Sequence, residues 1–178
     1  TFFVRRLTGT WAFDPTNASL TGLYDTVGRS GWMPDFCREL GIPAGILPPV
    51  VECDEQVGTV TAAAARASGL TAGTPVIMGS NDTSAACLGA GVTEPGQLLD
   101  IAGSAELLAV CLDRPVSHAK HHLRVHPLPG RWIAFTIIVS GFALEWFRAQ
   151  FCREMDEAAF YGEYLERLLS GGRSTTVR

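Results

Sequence analysis

One carboxylate stands out by its place in the chain. Asp82 closes the stretch Pro75-Val76-Ile77-Met78-Gly79-Ser80-Asn81, in which a short apolar strand breaks at a small-residue turn. A helix-compatible segment, Ser84 to Leu88, follows before the break at Gly89-Ala90-Gly91. The hand-over from strand to helix is where functional groups collect in α/β proteins. An aspartate there has two uses: capping the helix by accepting its first amide protons, or acting on a ligand. Two further small-residue turns, Gly103-Ser104 and Ser140-Gly141, belong to the same chemistry. Glycine lets backbone approach a ligand closely, and a neighbouring hydroxyl can bond a phosphate or a ribose. A single carboxylate with such turns suits phosphoryl transfer, where the protein chiefly positions groups and needs one weak base.

Other chemistries fit less well. His118, His121, His122 and His126 invite a metal site, but no spacing sets two of them with a carboxylate on one regular face. The segment reads as a surface loop, so a zinc-type site is set aside. Gly91-Val92-Thr93-Glu94-Pro95-Gly96 has the glycine spacing of a phosphate-binding P-loop. Gln97-Leu98 follows where Lys and Ser/Thr are required, which excludes a P-loop nucleotidase there. No G-x-G-x-x-G fingerprint and no G-x-S-x-G elbow occurs. The cysteines (37, 53, 87, 111 and 152) are scattered without a C-x-x-C pair. They read as reduced thiols of a cytosolic protein, and localisation is expected to be cytoplasmic.

The elements that must position Asp82 can be laid out from pattern. With 47% hydrophobic and 18% charged residues, the 178-residue chain has material for a real core. A net charge of −4 without a basic block argues against nucleic acid as a partner. The apolar run Trp132 to Val139 is far short of the roughly 20 residues that span a bilayer, so no membrane partner is expected. Leu7-Thr8-Gly9 reads as a turn, Asp14 to Ser19 as a loop, and Asp35 to Leu40 as a short helix. Val57 to Val60 is a candidate strand, and Thr61 should cap a helix over Ala62–Ser68 that Gly69 closes. After Gly91 the texture changes, and the hinge-like Thr93-Glu94-Pro95-Gly96 places a domain boundary near Val92, dividing residues 1–92 from 93–178. Leu98–Ala102 and Glu106–Cys111 read as strands, and His122–His126 with Arg131–Val139 as a hairpin. Gly141–Cys152 and Asp156–Ser170 read as amphipathic helices, the second ending at Gly171-Gly172.

Six motifs then fall in a distinctive order: D-x-T-N-A-S (Asp14 to Ser19), W…L-G-I…L-P (Trp32 to Pro48) and V-G-x-V-T-x-x-A-A (Val57 to Ala65) come first. G-L-x-x-G-T-P-V-x-x-G-x-x-D (Gly69 to Asp82), G-A-G-V-x-x-P-G (Gly89 to Gly96) and L-P-G-R-W…S-G-x-A-L-x-W-F-R (Leu128 to Arg148) follow. From about Arg5 to Phe151 the chain strongly resembles the FGGY carbohydrate kinases, the family of xylulokinase, glycerol kinase, gluconokinase and ribulokinase. The resemblance implies an α/β fold made of parts of two ribonuclease H-like (actin-like ATPase) domains with a cleft between them. Residues 1–92 would be the end of the sugar-binding domain, and 93–178 the start of the nucleotide-binding domain.

By the same resemblance Asp82 matches the catalytic base that takes the proton from the sugar or polyol hydroxyl, and Thr83 a substrate contact that is commonly an amide. Gly103 and Ser104 match a Gly-Thr turn that holds ATP phosphates, while Gly141 and Glu145 match positions beside the nucleotide. ATP and Mg²⁺ are the implied cofactors and a sugar or polyol the implied partner. Thr83 in place of an amide, and Pro15 in place of an aromatic residue of the glycerol kinases, leave the substrate open. The chain opens Thr1-Phe2-Phe3 without an initiator Met. The family's D-x-G-T phosphate loop and its adenosine-clamping G-G turn are expected upstream of Thr1 and downstream of Arg178. The expectation is therefore a central kinase fragment that does not turn over alone. The alternative is a truncated, non-catalytic FGGY-like module that binds a partner or itself. Uncovered edges and apolar patches would favour a homo-oligomer in that case.

Overall fold

The computed structural model describes residues 1–171. They form two compact units, one of Thr1–Asp100 with Leu108–Thr136, the other of Ile101–Leu107 with the segment from Ile137 onward.

The first unit opens on helix α1 (Phe2–Thr8), which ends at Gly9 in the left-handed conformation with φ 81°. The turn expected at Leu7-Thr8-Gly9 is therefore this helix's last turn and cap. Its start carries no side-chain cap, and Val4 is its one buried residue, so neither of the usual helix signals is present in the sequence. Asp14 to Ser19 also departs from expectation: it forms helix α2 (Pro15–Ala18) and not a loop. The Asp14 carboxylate accepts the Asn17 amide at 2.9 Å and Pro15 fixes the first helical φ, so the side-chain-to-backbone bonding that suggested a turn begins a helix. Helix α3 (Pro34–Glu39) and a 3-10 turn (Ala44–Ile46) lead into the proline-rich stretch. That stretch is fixed by a bridge between Phe13 and Val50 and by the Trp32 indole N–H, which donates to the Pro48 carbonyl at 2.7 Å.

Strands β1 (Gln56–Thr59) and β2 (Pro75–Ile77) pair antiparallel. Between them lies helix α4 (Ala62–Ser68), capped as expected by Thr61, whose hydroxyl accepts the Ala64 amide at 3.1 Å, and closed by Gly69 at φ 79°. Helix α5 (Asp82–Gly89) follows β2. Val4, Ala12 and Met78 form one core cluster, and Ala18, Tyr24 and Val125 a second. Strands β3 (Leu98–Ala102), β4 (Ala105–Leu112), β5 (His122–Val125) and β6 (Trp132–Val139) make a sheet in the order β3-β4-β6-β5. The expected hairpin is present, β5 and β6 pairing antiparallel with Arg124 opposite Ile133. Ile133 and Phe135 are buried, whereas Ile137, Ile138 and Val139 are all exposed.

In the second unit, helix α6 (Gly141–Phe151) buries none of its residues. The expected helix over Asp156–Ser170 is instead a π-helical stretch (Ala158–Tyr164) followed by helix α7 (Leu165–Ser170). Phe160, fully buried, sits inside the widened turns with its ring 5.7 Å from that of Tyr164. Gly172 lies outside the described residues. No helix among them is long and apolar enough to cross a membrane.

Candidate active site

Asp82 is the first residue of α5 and not its cap. Asn81 is the cap: its backbone is extended (φ −65°, ψ 153°) and its Oδ1 accepts the Ser84 amide at 3.0 Å. That arrangement leaves the Asp82 carboxylate available. Its Oδ1 accepts the Thr83 amide at 2.6 Å, the Asn81 Nδ2–H at 3.0 Å and the Thr83 hydroxyl at 3.3 Å. Its Oδ2 has no partner among the described residues, and the side chain is exposed. One oxygen is anchored and the other is open. The positive end of the helix dipole further favours a negative charge at this position. Thr83, half-buried, directs its hydroxyl to Asp82.

A buried polar chain supports this corner. The Asn81 amide donates to the Thr16 hydroxyl at 2.8 Å, and that hydroxyl donates to the Asp14 carboxylate. Asp14 also accepts the Asn17 Nδ2–H at 2.7 Å. Asp14 is 2% and Thr16 0% exposed, so each of these bonds replaces water that cannot reach the site. From β5, Arg124 donates Nη1–H to Asn81 Oδ1, and its guanidinium lies 4.4 Å from the centroid of the Phe135 ring. Burial pushes the Arg124 pKa down, and the nearby Asp82 charge pushes it back up. Asn81 and Arg124 were not among the residues the sequence singled out. The D-x-T-N-A-S motif that carries Asp14 and Thr16 was visible, but its hydrogen-bonding role was not.

In the second unit Gly103, Ser104, Gly141 and Glu145 come together with Phe142 around one open depression of about 260 Å³. The Gly141 and Phe142 amides donate to the Gly103 and Ser104 carbonyls, both at 3.0 Å. The Ala143 and Leu144 amides both turn back to the Ser140 carbonyl. The first amides of α6 are thus satisfied by backbone carbonyls, and Ser104 is exposed. A Cβ on Gly141 would lie 2.7 Å from the Gly103 carbonyl oxygen, so the turn requires glycine for close approach. Glu145 has both oxygens bonded, Oε1 to Arg148 Nη2 and Oε2 to the Tyr161 hydroxyl, each at 2.6 Å. These two donors hold its carboxyl below the usual carboxylate range, with Arg148 the larger cause.

The groups set aside on sequence separate further. His118 and His121 stack on each other in an exposed loop, and His122 stacks on Phe135. His126, expected in that loop, is instead fully buried, with Nε2 3.0 Å from the Val92 carbonyl and Nδ1 accepting the Leu128 amide at 3.0 Å. The five cysteines are unpaired and buried. Burial pushes the Cys53 thiol up to about 12, which makes it a poor nucleophile at neutral pH.

The N-terminal domain model of the FGGY family of carbohydrate kinases matches residues 1–89, half of the chain, and the chain belongs to that family. Over 151 residues it is 41% identical to the autoinducer-2 kinase of Yersinia enterocolitica, a match that covers 83% of this chain and 28% of that protein. The xylulose kinase from Rhodospirillum rubrum superposes with a TM-score of 0.85 at 30% identity, over 96% of this chain and 34% of that one. The glycerol kinase from Plasmodium falciparum, solved with ADP, gives 0.80 at 18% identity over 94% of this chain and 34% of that one, a likeness of fold alone. The fold is that of parts of the ribonuclease H-like (actin-like ATPase) domains expected for the family. The chain spans between 28% and 34% of the length of these relatives.

Proposed function

We propose that the chain is part of an ATP-dependent kinase that phosphorylates a hydroxyl of a sugar or polyol, with Asp82 as the base. The observation that carries this reading is the asymmetry of the Asp82 carboxylate, one oxygen held by three donors and the other open. A carboxylate is a weak base for an alcohol. That suffices when the phosphoryl group is largely detached before the hydroxyl proton leaves. Thr83 borders the acceptor, and Gly103, Ser104 and Gly141 receive the ATP phosphates, Glu145 forming part of the wall beside them. Residues 1–92 then belong to the acceptor side and 93–178 to the nucleotide side, a division supported by the family match ending at residue 89, while the first compact unit also takes in Leu108–Thr136. Mg²⁺ is expected with ATP. The one carboxylate at the Gly103–Ser104 depression, Glu145, has both oxygens bonded, so no magnesium ligand is assigned to this chain. ATP as donor and five unpaired thiols favour a cytoplasmic setting.

Autoinducer-2 is the first acceptor to test, because relatives named for it are 40–41% identical, against 30% for a xylulose kinase. Xylulose, gluconate and glycerol follow. In the full protein that contains these residues, Asp82→Asn should lower turnover by about 10²–10⁴-fold, the usual contribution of a positioned base, with ATP affinity kept. Comparable turnover in the variant would sink the assignment. A second reading, a non-catalytic self-associating module, is favoured by Phe142, Trp146 and Phe151, each more than half exposed. It requires these 178 residues to sediment as an oligomer, and it fails if the full protein phosphorylates any acceptor of the panel.

A further inference from the structure

We infer that Arg124 is a positioning residue for phosphoryl transfer: packed on Phe135, it holds the amide of Asn81, and through that amide the anchored oxygen of Asp82. The inference rests on the reading of Asp82 as the base.

Arg124 is an expensive residue for its place. It is 4% exposed, makes no ion pair among the described residues, and has a buried Nε–H without an acceptor. A buried charge without a partner destabilises, and a methionine or leucine on β5 could pack against Phe135 without that cost. What the guanidinium supplies is specific. Its Nη1–H enters Asn81 Oδ1, the same oxygen that caps α5 by accepting the Ser84 amide. Donation into that oxygen polarises the Asn81 amide and strengthens the Nδ2–H bond, 3.0 Å long, to Asp82 Oδ1. The Phe135 ring packs against the guanidinium, its centroid 4.4 Å away. A relay of three side chains from β5 to α5 thus fixes which oxygen of Asp82 stays open.

The charged and titratable groups around this relay are few. Asp82 and Cys87 face Arg124 from α5, and Asp14 faces it from the start of α2. Asp14 is committed to Thr16 and Asn17, and His122 lies on the Phe135 ring. Removing Arg124 therefore takes away the one cation beside Asp82 in this set.

The test is steady-state kinetics in the full protein, for Arg124→Met, Arg124→Lys and Asn81→Ser. Arg124→Met should lower kcat by about 10²-fold, the scale of a misplaced catalytic group, with the KM for ATP unchanged. Arg124→Lys keeps the charge without the planar fork, so kcat should recover only in part. Asn81→Ser keeps a cap acceptor but loses the donor to Asp82, and should lower kcat in a folded enzyme even where Arg124→Met does not fold. In an Asp82→Asn background Arg124→Met should add nothing, because both act on one group. Wild-type kcat in Arg124→Met would overturn the inference, as would wild-type kcat in both Arg124→Lys and Asn81→Ser. So would an equal factor with and without Asp82. Full turnover in Asp82→Asn alone instead overturns the base, whatever the arginine variants do.

Discussion

The two units hold their candidate residues by opposite means. Around Asp82 the support is side-chain chemistry: a buried chain through Asp14, Thr16, Asn81 and Arg124, in which all but Asn81 are under 5% exposed. Around Gly103 and Ser104 the support is backbone. Two amides of α6 return to the turn's own carbonyls at 3.0 Å, over a glycine that could not carry a Cβ, and α6 buries none of its residues. A buried polar network fixes one geometry, because each group loses its partner if a neighbour moves. A backbone turn tolerates any side chain that leaves its carbonyls free. Asp82, the proposed base, is thus held by residue identity, and the Gly103–Ser104 turn by shape.

The largest effect should come from Asp14→Ala. Loss of the α2 cap costs about 0.5–2 kcal/mol, and a buried Thr16 hydroxyl without its acceptor about 1–3 kcal/mol, together about 1.5–5 kcal/mol. A urea titration of the full protein measures it. In the folded variant kcat should fall with Asn81 displaced, while the KM for ATP holds. An equal rise in the KM for ATP would break the contrast between the units.

Gly141→Ala should come next and have the converse pattern. Its Cβ meets a backbone oxygen at 2.7 Å, which a flexible side chain cannot relieve. Overpacking of this kind costs about 1–3 kcal/mol. Expressed in ATP binding, that is about 5- to 140-fold in KM, at 1.4 kcal/mol per decade, with the KM of the acceptor unmoved. A Gly141→Ala enzyme with wild-type ATP kinetics would show that the turn does not hold the nucleotide.

What the sequence made legible were the contacts between near neighbours. Thr61 and Gly69 bracket α4 because a cap acceptor and a left-handed terminus act within four residues. The strand-to-helix placement of Asp82 was legible for the same reason. Which of Asn81 and Asp82 caps the helix was not, since both side chains suit that position. It is decided by Thr16, which accepts the Asn81 amide from 65 residues away. Arg124 reaches Asn81 across 43 residues, and on β5 it occupies a position where pattern predicts an ordinary strand residue. Glu145 was read as beside the nucleotide, yet Tyr161, 16 residues on, takes its second oxygen. The π-helical turns around Phe160 depend on one buried ring, which periodicity reads as plain α-helix.

The smallest effect separates the units by pH. His126 accepts the Leu128 amide at Nδ1, so that nitrogen carries no proton, and Nε2–H donates to the Val92 carbonyl. Burial, with a smaller push from Arg131, lowers its pKa below the unfolded value of about 6.5. The unfolded chain then binds more protons than the folded one as pH falls below that value, so stability declines. This contribution is complete above about pH 6.5 and is lost as the pH drops toward the folded pKa. His126→Gln, neutral throughout, should flatten the fall in urea midpoint between pH 7.5 and 5.5. The second unit should not contribute to it, because Arg148 and Tyr161 hold the Glu145 carboxyl below the ordinary range, where it stays ionised across that window. An equal fall in His126→Gln would assign the acid sensitivity to groups other than this buried imidazole.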